Sequence, residues 1–186
     1  KPISIIGSGS RATLWAKKIK ESKYFNLQSF FSRDEKSVKS LSEKFNCEHY
    51  TDLSKFLHER GSDNFLIANK TQNHDICLNF LQRSKNFIIE KPLSLSEISL
   101  DQIMQEYRKY NSICMSALNR HYDTYLKNIK KIIKNGKIGN IINVNFTHQY
   151  FLDDDRINKR IQNNTESEFL NIHIIDQLNY IFGEPI

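Results

Sequence analysis

Between Ile3 and Ala12 the chain reads Ile-Ser-Ile-Ile-Gly-Ser-Gly-Ser-Arg-Ala, a short apolar stretch running into the pattern G-x-G-x-x-A. A strand buried on both faces of a parallel sheet is apolar almost throughout, which suits Ile3, Ile5 and Ile6. Thr13 to Lys20 then reads as helix. In such a strand–turn–helix unit each small residue has its own task. Gly7 allows the tight turn out of the strand, and Ala12 lets the helix pack close to it. Gly9 lets a diphosphate approach the backbone where a Cβ would obstruct it. The helix N-terminus offers free N–H groups and the positive end of its dipole to phosphate. The segment points to a nucleotide-binding α/β domain. The plainer alternative is a glycine turn in a βα unit that holds no ligand.

Downstream the unit repeats. Leu27–Phe31 reads as strand and Asp34–Phe45 as a polar-faced helix. A further helix starts at Thr51-Asp52, with Asp52 as N-cap before Leu53, Phe56 and Leu57. Phe65–Ala68 is strand, Asn73–Arg83 helix, and Asn86–Ile89 a strand halted by Glu90-Lys91-Pro92. The spacing of Ile98, Leu100, Ile103, Met104 and Tyr107 predicts a helix over Ser96–Tyr110, followed by a strand over Ile113–Ala117. Repeated βα units of this length predict a parallel, doubly wound sheet. Near Asn119 the period changes. Tyr125–Asn135 is an amphipathic helix ended by Gly136. Ile141–Phe151 alternates apolar and polar residues, as an antiparallel strand with one covered face would. Asp153–Asn164 reads as loop, and Glu168–Phe182 as an apolar helix stopped by Gly183 and Pro185. The expected organisation is one domain over residues 1–118 and the start of a second over 119–186. One strand and two helices do not make a stable domain unaided, so part of the second is expected to lie outside this chain.

The 186 residues carry a formal net charge of +6. Five lysines fall between Lys127 and Lys137. Without interleaved aromatics they read as the solvated face of a helix, so no nucleic-acid partner is expected. A mild positive balance suits ligands that carry phosphate. Cys47, Cys77 and Cys114 lie far apart with no zinc-type spacing, so no metal site is expected; they read as reduced thiols of a cytoplasmic protein. No apolar run approaches the roughly 20 residues of a membrane span, and no membrane partner is expected. No signal peptide precedes the first strand, and the missing initiator Met suggests a processed or trimmed chain.

Several segments, in this order, carry a resemblance: Gly7-Ser8-Gly9-Ser10-Arg11-Ala12, Thr71-Gln72-Asn73-His74, Glu90-Lys91-Pro92, Asn119-Arg120 and His173-Ile174-Ile175-Asp176, closed by Phe182-Gly183-Glu184-Pro185. The chain resembles the Gfo/Idh/MocA family, the relatives of glucose–fructose oxidoreductase and inositol dehydrogenase. The resemblance implies a Rossmann-like doubly wound parallel sheet, followed by the beginning of an α/β domain with a mostly antiparallel sheet. It implies NAD(P)-dependent hydride transfer at a hydroxyl or keto carbon of a sugar, polyol or nucleotide sugar, and a homo-oligomer at full length. Carried over residue by residue, it assigns cofactor binding to Gly7, Ser8, Gly9, Ser10, Arg11 and Ala12, and to Ser32 and Arg33 after the second strand. It extends that binding to Asn69, Thr71, Asn73, His74, Glu90, Lys91 and Asn119. Lys91 is the implied partner of the reacting oxygen and relay for its proton, with Pro92 fixing the turn after a cis bond. His173, whose ordinary pKa of about 6.5 suits a base, is the second catalytic candidate. Asp176, one helical turn on, orients His173, contacts substrate or caps local polar groups.

Three departures from the family pattern matter. The acidic residue usual four positions before the histidine is Phe169 here. The glycine usual two before it is Asn171, and the glycine-rich lead-in is Asn164-Thr165-Glu166-Ser167. Phe169 can neither accept a proton nor bind a hydroxyl. A second reading is therefore a nucleotide-binding relative without turnover, unless Glu168 or Asp176 supplies the carboxylate. Cofactor choice rests on the end of the second strand, where a carboxylate normally binds the ribose hydroxyls of NAD. Ser32 and Arg33 stand there, able to donate to and pair with a 2′-phosphate, so NADP is expected. NAD remains the alternative, because a one-residue shift would bring Asp34 to the ribose.

Overall fold

Apolar runs in the first 117 residues assemble into one six-stranded sheet in the computed structural model, which describes residues 1–58, 62–69, 73–94, 96–147 and 166–183, with side chains from 172 onward in the last segment. The elements are β1 (Pro2–Ile6), α1 (Ser10–Glu21), β2 (Asn26–Phe31), α2 (Glu35–Phe45), β3 (Glu48–Tyr50), α3 (Leu53–His58), β4 (Asn64–Ile67), α4 (His74–Gln82), β5 (Asn86–Ile89), α5 (Glu97–Tyr107) and β6 (Cys114–Ser116). The strand order is β3-β2-β1-β4-β5-β6, and every neighbouring pair is parallel. The expected doubly wound sheet is present. The chain divides into two compact units, Lys1–Ala117 and Leu118–Ile186.

The two faces of the sheet bury separate cores. On one, Ile3 and Ile5 of β1 meet Ala12, Ala16 and Ile19 of α1 and Val38 and Leu41 of α2. On the other, Ile6 and Ile67 meet Phe56 of α3, Phe80 of α4 and Ile103 of α5. Phenylalanines bridge this second face, with ring centroids 5.3 Å apart for Phe31–Phe56, 5.5 Å for Phe56–Phe65 and 4.5 Å for Phe65–Phe80. The winding reverses between β1 and β4. Connections leave those two strands in opposite directions and open a crevice at their carboxyl ends.

Local signals placed most helix starts. Asp52 accepts a hydrogen bond from the Lys55 amide at 3.0 Å. Asp34 and Ser96 cap α2 and α5 through the amides of Ser37 and Ser99. Helix α1 begins at Ser10, three residues before the expected Thr13, so Ser10, Arg11 and Ala12 form its first turn. Strand β3 is an addition. Glu48-His49-Tyr50 is short and polar and carries no strand signal of its own; pairing with Ser29, Phe30 and Phe31 of β2 creates it. Burial pushes the thiols up, Cys47 and Cys114 to about 11 and Cys77 to about 12. All three are free. Among the described residues no helix is long and apolar enough to cross a membrane.

The second unit contains a 3-10 turn at Asn119–Tyr122, α6 (Thr124–Lys134) and α7 (Glu166–Phe182). Helix α6 closes as expected at Gly136, whose φ is +66°. The Gly136 amide donates to the Ile133 carbonyl at 2.9 Å and the Lys137 amide to that of Ile132 at 3.2 Å, the paired bonds of a Schellman cap. The strand expected over Ile141–Phe151 is not found where it can be seen: residues 141–147 carry no strand, and Ile142, Val144 and Phe146 are exposed. Alternation marks a face that a layer could cover, but a strand exists only through a ladder with a neighbour. None pairs with 141–147 among the described residues. The rest of that strand and the loop over Asp153–Asn164 lie outside them.

Candidate functional site

A cleft of about 850 Å³ opens at the carboxyl ends of β1, β2 and β4. Its floor is the loop from Gly7 to Arg11. Ser32 and Arg33 flank it after β2, Ala68 and Asn69 after β4, and Phe31, Leu53 and Ile76 give it an apolar wall. The two glycines of the loop are there for different reasons. Gly7 has φ +119°, and a Cβ on it would lie 3.0 Å from Asn69 Oδ1 and 3.2 Å from the Ala68 backbone. Its amide donates to the Phe31 carbonyl at 2.7 Å, which ties the turn to β2. The protein itself therefore requires a glycine at position 7. Gly9 has φ −85° and ψ −170°, open to any residue. Apart from its chain neighbours, a Cβ there would meet no atom of the described residues within 4 Å. Nothing in the packing of the described residues asks for glycine at 9; the free space belongs to the cleft.

Helix α1 starts at that point with Gly9 as N-cap. No side chain caps its amides, and no acidic residue sits in its first turn. Ala12 and Ala16 are fully buried against the sheet, which brings the helix axis close to β1. The result is an uncapped helix N-terminus aimed at a cavity, with Arg11 and Arg33 on its lining. Such an arrangement suits a diphosphate, through backbone donors, helix dipole and paired cations together.

At the end of β2 the polar groups are arranged in sequence. Ser8 donates to Ser32 Oγ at 3.1 Å, and the Asp34 amide donates to the same oxygen at 3.2 Å. Ser32 thereby keeps its own O–H as the donor it can offer. The Asp34 carboxylate is engaged within its own helix: Oδ1 accepts the Ser37 amide at 3.2 Å and Oδ2 the Ser37 hydroxyl at 2.5 Å. Those bonds hold its carboxyl below the ordinary value of 3.8. After β4, Asn69 donates from Nδ2 to Asn73 Oδ1 at 3.0 Å, while its own buried Oδ1 finds no hydrogen-bond partner among the described residues. Asn73, itself buried, thus acts on the cleft through Asn69. His74 opens α4 with Nδ1 3.3 Å from Asp75 Oδ1. Neither Asn73 nor His74 lines the cleft. Thr71 lies outside the described residues.

Glu90 and Lys91 end β5. The Glu90 amide donates to the Ile67 carbonyl at 2.8 Å, and the Lys91–Pro92 bond is cis, as the resemblance implied. Neither residue lines the cleft. Glu90 Oε1 accepts a 2.7 Å hydrogen bond from Trp15 Nε1. Sequence reasoning passed over Trp15. The available signal was its position on α1, three residues beyond Ala12 and four before Ile19, on the sheet-facing side.

In the second unit, Asn119 is exposed at the first position of the 3-10 turn. His121 Nε2 lies 2.7 Å from Asp176 Oδ1, a contact that is ionic when the imidazole is protonated. The His121 ring stacks on Tyr180 with centroids 4.6 Å apart, and Lys130 Nζ lies 4.0 Å from the centre of the same ring. Asp176 therefore has the turn at 119–122 as an immediate partner, in addition to the turn of α7 that it shares with His173. His173 is half-buried, and its carbonyl accepts the Gln177 side-chain amide at 2.8 Å. The side chains of Glu168, Phe169 and Asn171 lie outside the described residues.

Relatives of known structure and name share this architecture. The family described as "Oxidoreductase family, NAD-binding Rossmann fold" matches residues 1–118. Myo-inositol 2-dehydrogenase of Thermotoga maritima is 27% identical over 192 residues, spanning 99% of this chain and 55% of that protein. The crystal structure of myo-inositol 2-dehydrogenase from Lactobacillus plantarum superposes with a TM-score of 0.84 at 23% identity, over 98% of this chain and 56% of the other. An oxidoreductase from Agrobacterium radiobacter, solved with NAD+, L-tartaric acid and magnesium, superposes with a TM-score of 0.81 at 19% identity, over 98% of this chain and 55% of the other. The two structures share the fold, and the chain spans about half the length of each of these relatives. With its glycine loop at the crevice of a sheet ordered 3-2-1-4-5-6 and the family match running through the whole of that sheet, the chain belongs to the Gfo/Idh/MocA family of oxidoreductases.

Proposed function

We propose that this chain forms the cofactor-binding part of an NADP-dependent oxidoreductase that transfers hydride at a hydroxyl or keto carbon of a sugar, polyol or nucleotide sugar. The observation that carries the reading is the vacant Cβ position of Gly9 beside the uncapped N-terminus of α1. A dinucleotide fits this donor set. The first-turn amides of α1 receive the diphosphate, Leu53 and Ile76 offer an apolar wall to adenine, and Ser32 and Arg33 take the 2′-phosphate. The engaged Asp34 carboxylate supports NADP over NAD, because a ribose-binding role would have to break its bonds to Ser37. The names of the relatives, inositol dehydrogenases among them, support a polyol-like substrate.

The nicotinamide ring supplies the hydride chemistry when bound, and the protein must orient the substrate and handle one proton. We assign Lys91 to the reacting oxygen, where its ammonium donates a hydrogen bond and passes the proton on. His173 is the hydrogen-bond partner and base for a substrate hydroxyl. We assign Asp176 to holding the Asn119–Tyr122 turn against α7 through His121, rather than to substrate. Residues 119–186 begin a domain for substrate and subunit contacts, and three free thiols fit a cytoplasmic setting. A second reading, nucleotide binding without turnover, is favoured by Phe169 at the position of the usual acid.

The test is a binding titration with NADPH and NADH, followed by turnover on a panel of sugars and polyols with the wild type and Lys91→Met. Tighter binding of NADPH is expected, with Lys91→Met keeping that affinity while kcat falls by about 10²-fold. Binding without turnover on any substrate would establish the second reading. Turnover indifferent to Lys91 would remove the proposed mechanism.

A further inference from the structure

We propose that Trp15 is a positioning residue that fixes Lys91 relative to the nucleotide cleft; the proposal rests on the role assigned to Lys91 above. Helix α1 begins at the cleft, where Ser10 and Arg11 line it. Trp15 lies little more than one turn along the same helix. Its indole donates from Nε1 to Glu90 Oε1 at 2.7 Å, across 75 positions of sequence. An indole has a single N–H, so this donor can be withdrawn only by moving the ring. The ring is partly buried and packed on the core formed by Ile3, Ile5 and Ala16, which resists that movement. Glu90 is therefore held twice. Its amide is tied to the Ile67 carbonyl of β4 at 2.8 Å, and its carboxylate is tied to α1. Lys91 is the next residue, and the Ala117 amide bonds the Ile89 carbonyl on the other side of Glu90. One hydrogen bond thus joins the helix that receives the diphosphate to the main chain that carries Lys91. A cofactor seated on α1 and a lysine at the end of β5 share a frame through Trp15, although neither Glu90 nor Lys91 lines the cleft.

Packing alone would be served equally well by another aromatic ring, so the N–H is what must be tested. Trp15→Phe keeps an aromatic ring and removes the donor; Trp15→His restores a donor on a smaller ring. The full-length protein is assayed for kcat, KM, NADPH affinity and thermal midpoint. Loss of one charge-assisted bond is expected to lower kcat about 10-fold in Trp15→Phe while NADPH affinity changes less than about 3-fold. Trp15→His is expected to recover most of that loss. Trp15 is the one tryptophan of residues 1–186, and its indole N–H resonance, assigned by its loss in Trp15→Phe or Trp15→His, reports the bond without any turnover. It is expected to shift in Glu90→Leu. An unimpaired kcat in Trp15→Phe, a loss that tracks NADPH affinity, no recovery in Trp15→His, or an indole resonance indifferent to Glu90→Leu would each overturn the proposal. Should Trp15→Phe not fold, Glu90→Leu and the indole resonance decide the matter. Wild-type turnover that depends on Lys91 but not on Trp15 removes this inference alone. Turnover that does not depend on Lys91, or no turnover at all, removes the underlying assignment and this inference with it.

Discussion

Replacing Gly9 with threonine separates ligand space from packing space. Threonine and glycine are comparable N-caps, so α1 should start as readily as before. The φ of −85° and ψ of −170° suit any residue, and beyond its chain neighbours a Cβ at Gly9 meets no atom of the described residues within 4 Å. The expected change in folding stability is therefore within about 0.5 kcal/mol. The new side chain projects into the space where the diphosphate would meet the α1 amides. Each charge-assisted hydrogen bond broken there costs about 1.5–3 kcal/mol, so NADPH should bind at least about 100-fold more weakly when more than one is broken. Gly7→Ala is the control with the opposite signature. At φ +119°, with its Cβ 3.0 Å from Asn69 Oδ1 and 3.2 Å from the Ala68 backbone, alanine strains the turn. A stability loss of roughly 1–3 kcal/mol is expected whether or not cofactor is present. The assay pairs thermal unfolding with energy transfer from Trp15 to the reduced nicotinamide. A folded Gly9→Thr protein with wild-type NADPH affinity would refute the argument. So would a Gly9→Thr protein that unfolds as readily as Gly7→Ala.

Other expectations concern cofactor choice and turnover. Arg33→Ala should weaken NADPH by about 10- to 100-fold and NADH much less, as read by competitive titration; equal losses would mean Arg33 does not meet the 2′-phosphate. Asp34→Asn should leave NADH affinity unchanged, because the carboxylate serves Ser37 and the amide side chain can still cap α2; a selective loss of NADH would restore the ribose-binding alternative. The same variant tests linkage. The Asp34 carboxyl is lowered from 3.8 chiefly by the Ser37 hydroxyl bond. Its stabilisation is present above that value and is lost as pH falls through the lower folded value, so Asp34→Asn should flatten the acid limb of stability against pH. Phe169→Asp, which restores the usual acid, should raise kcat in single-turnover and steady-state assays; no gain would mean another group already serves.

Much of this protein is local and therefore legible. Buried parallel strands are apolar over their length, so β1, β2, β4 and β5 stand out in the chain. Asp34, Asp52 and Ser96 announce their helices because a cap bonds amides only a few residues away. The glycine motif and Glu90-Lys91-Pro92 mark backbone requirements that one segment states by itself. The family also follows from such segments, since each is a short run whose chemistry needs no distant partner to be recognised. Pairings between distant residues had to wait for the fold. Strand β3 exists because β2 lies beside it, and the alternation at 141–147 makes no strand without a neighbour. Asp34 reads from the sequence as the alternative ribose ligand, and only the fold shows Ser37 bonded to both its oxygens. The pairings of Glu90 with Trp15 and of Asp176 with His121 join residues far apart in sequence, and neither residue type declares its partner. A sequence states what each segment can do alone; which of those capacities is spent inside the protein, and which is left for a ligand, is decided by what the fold brings within hydrogen-bonding distance.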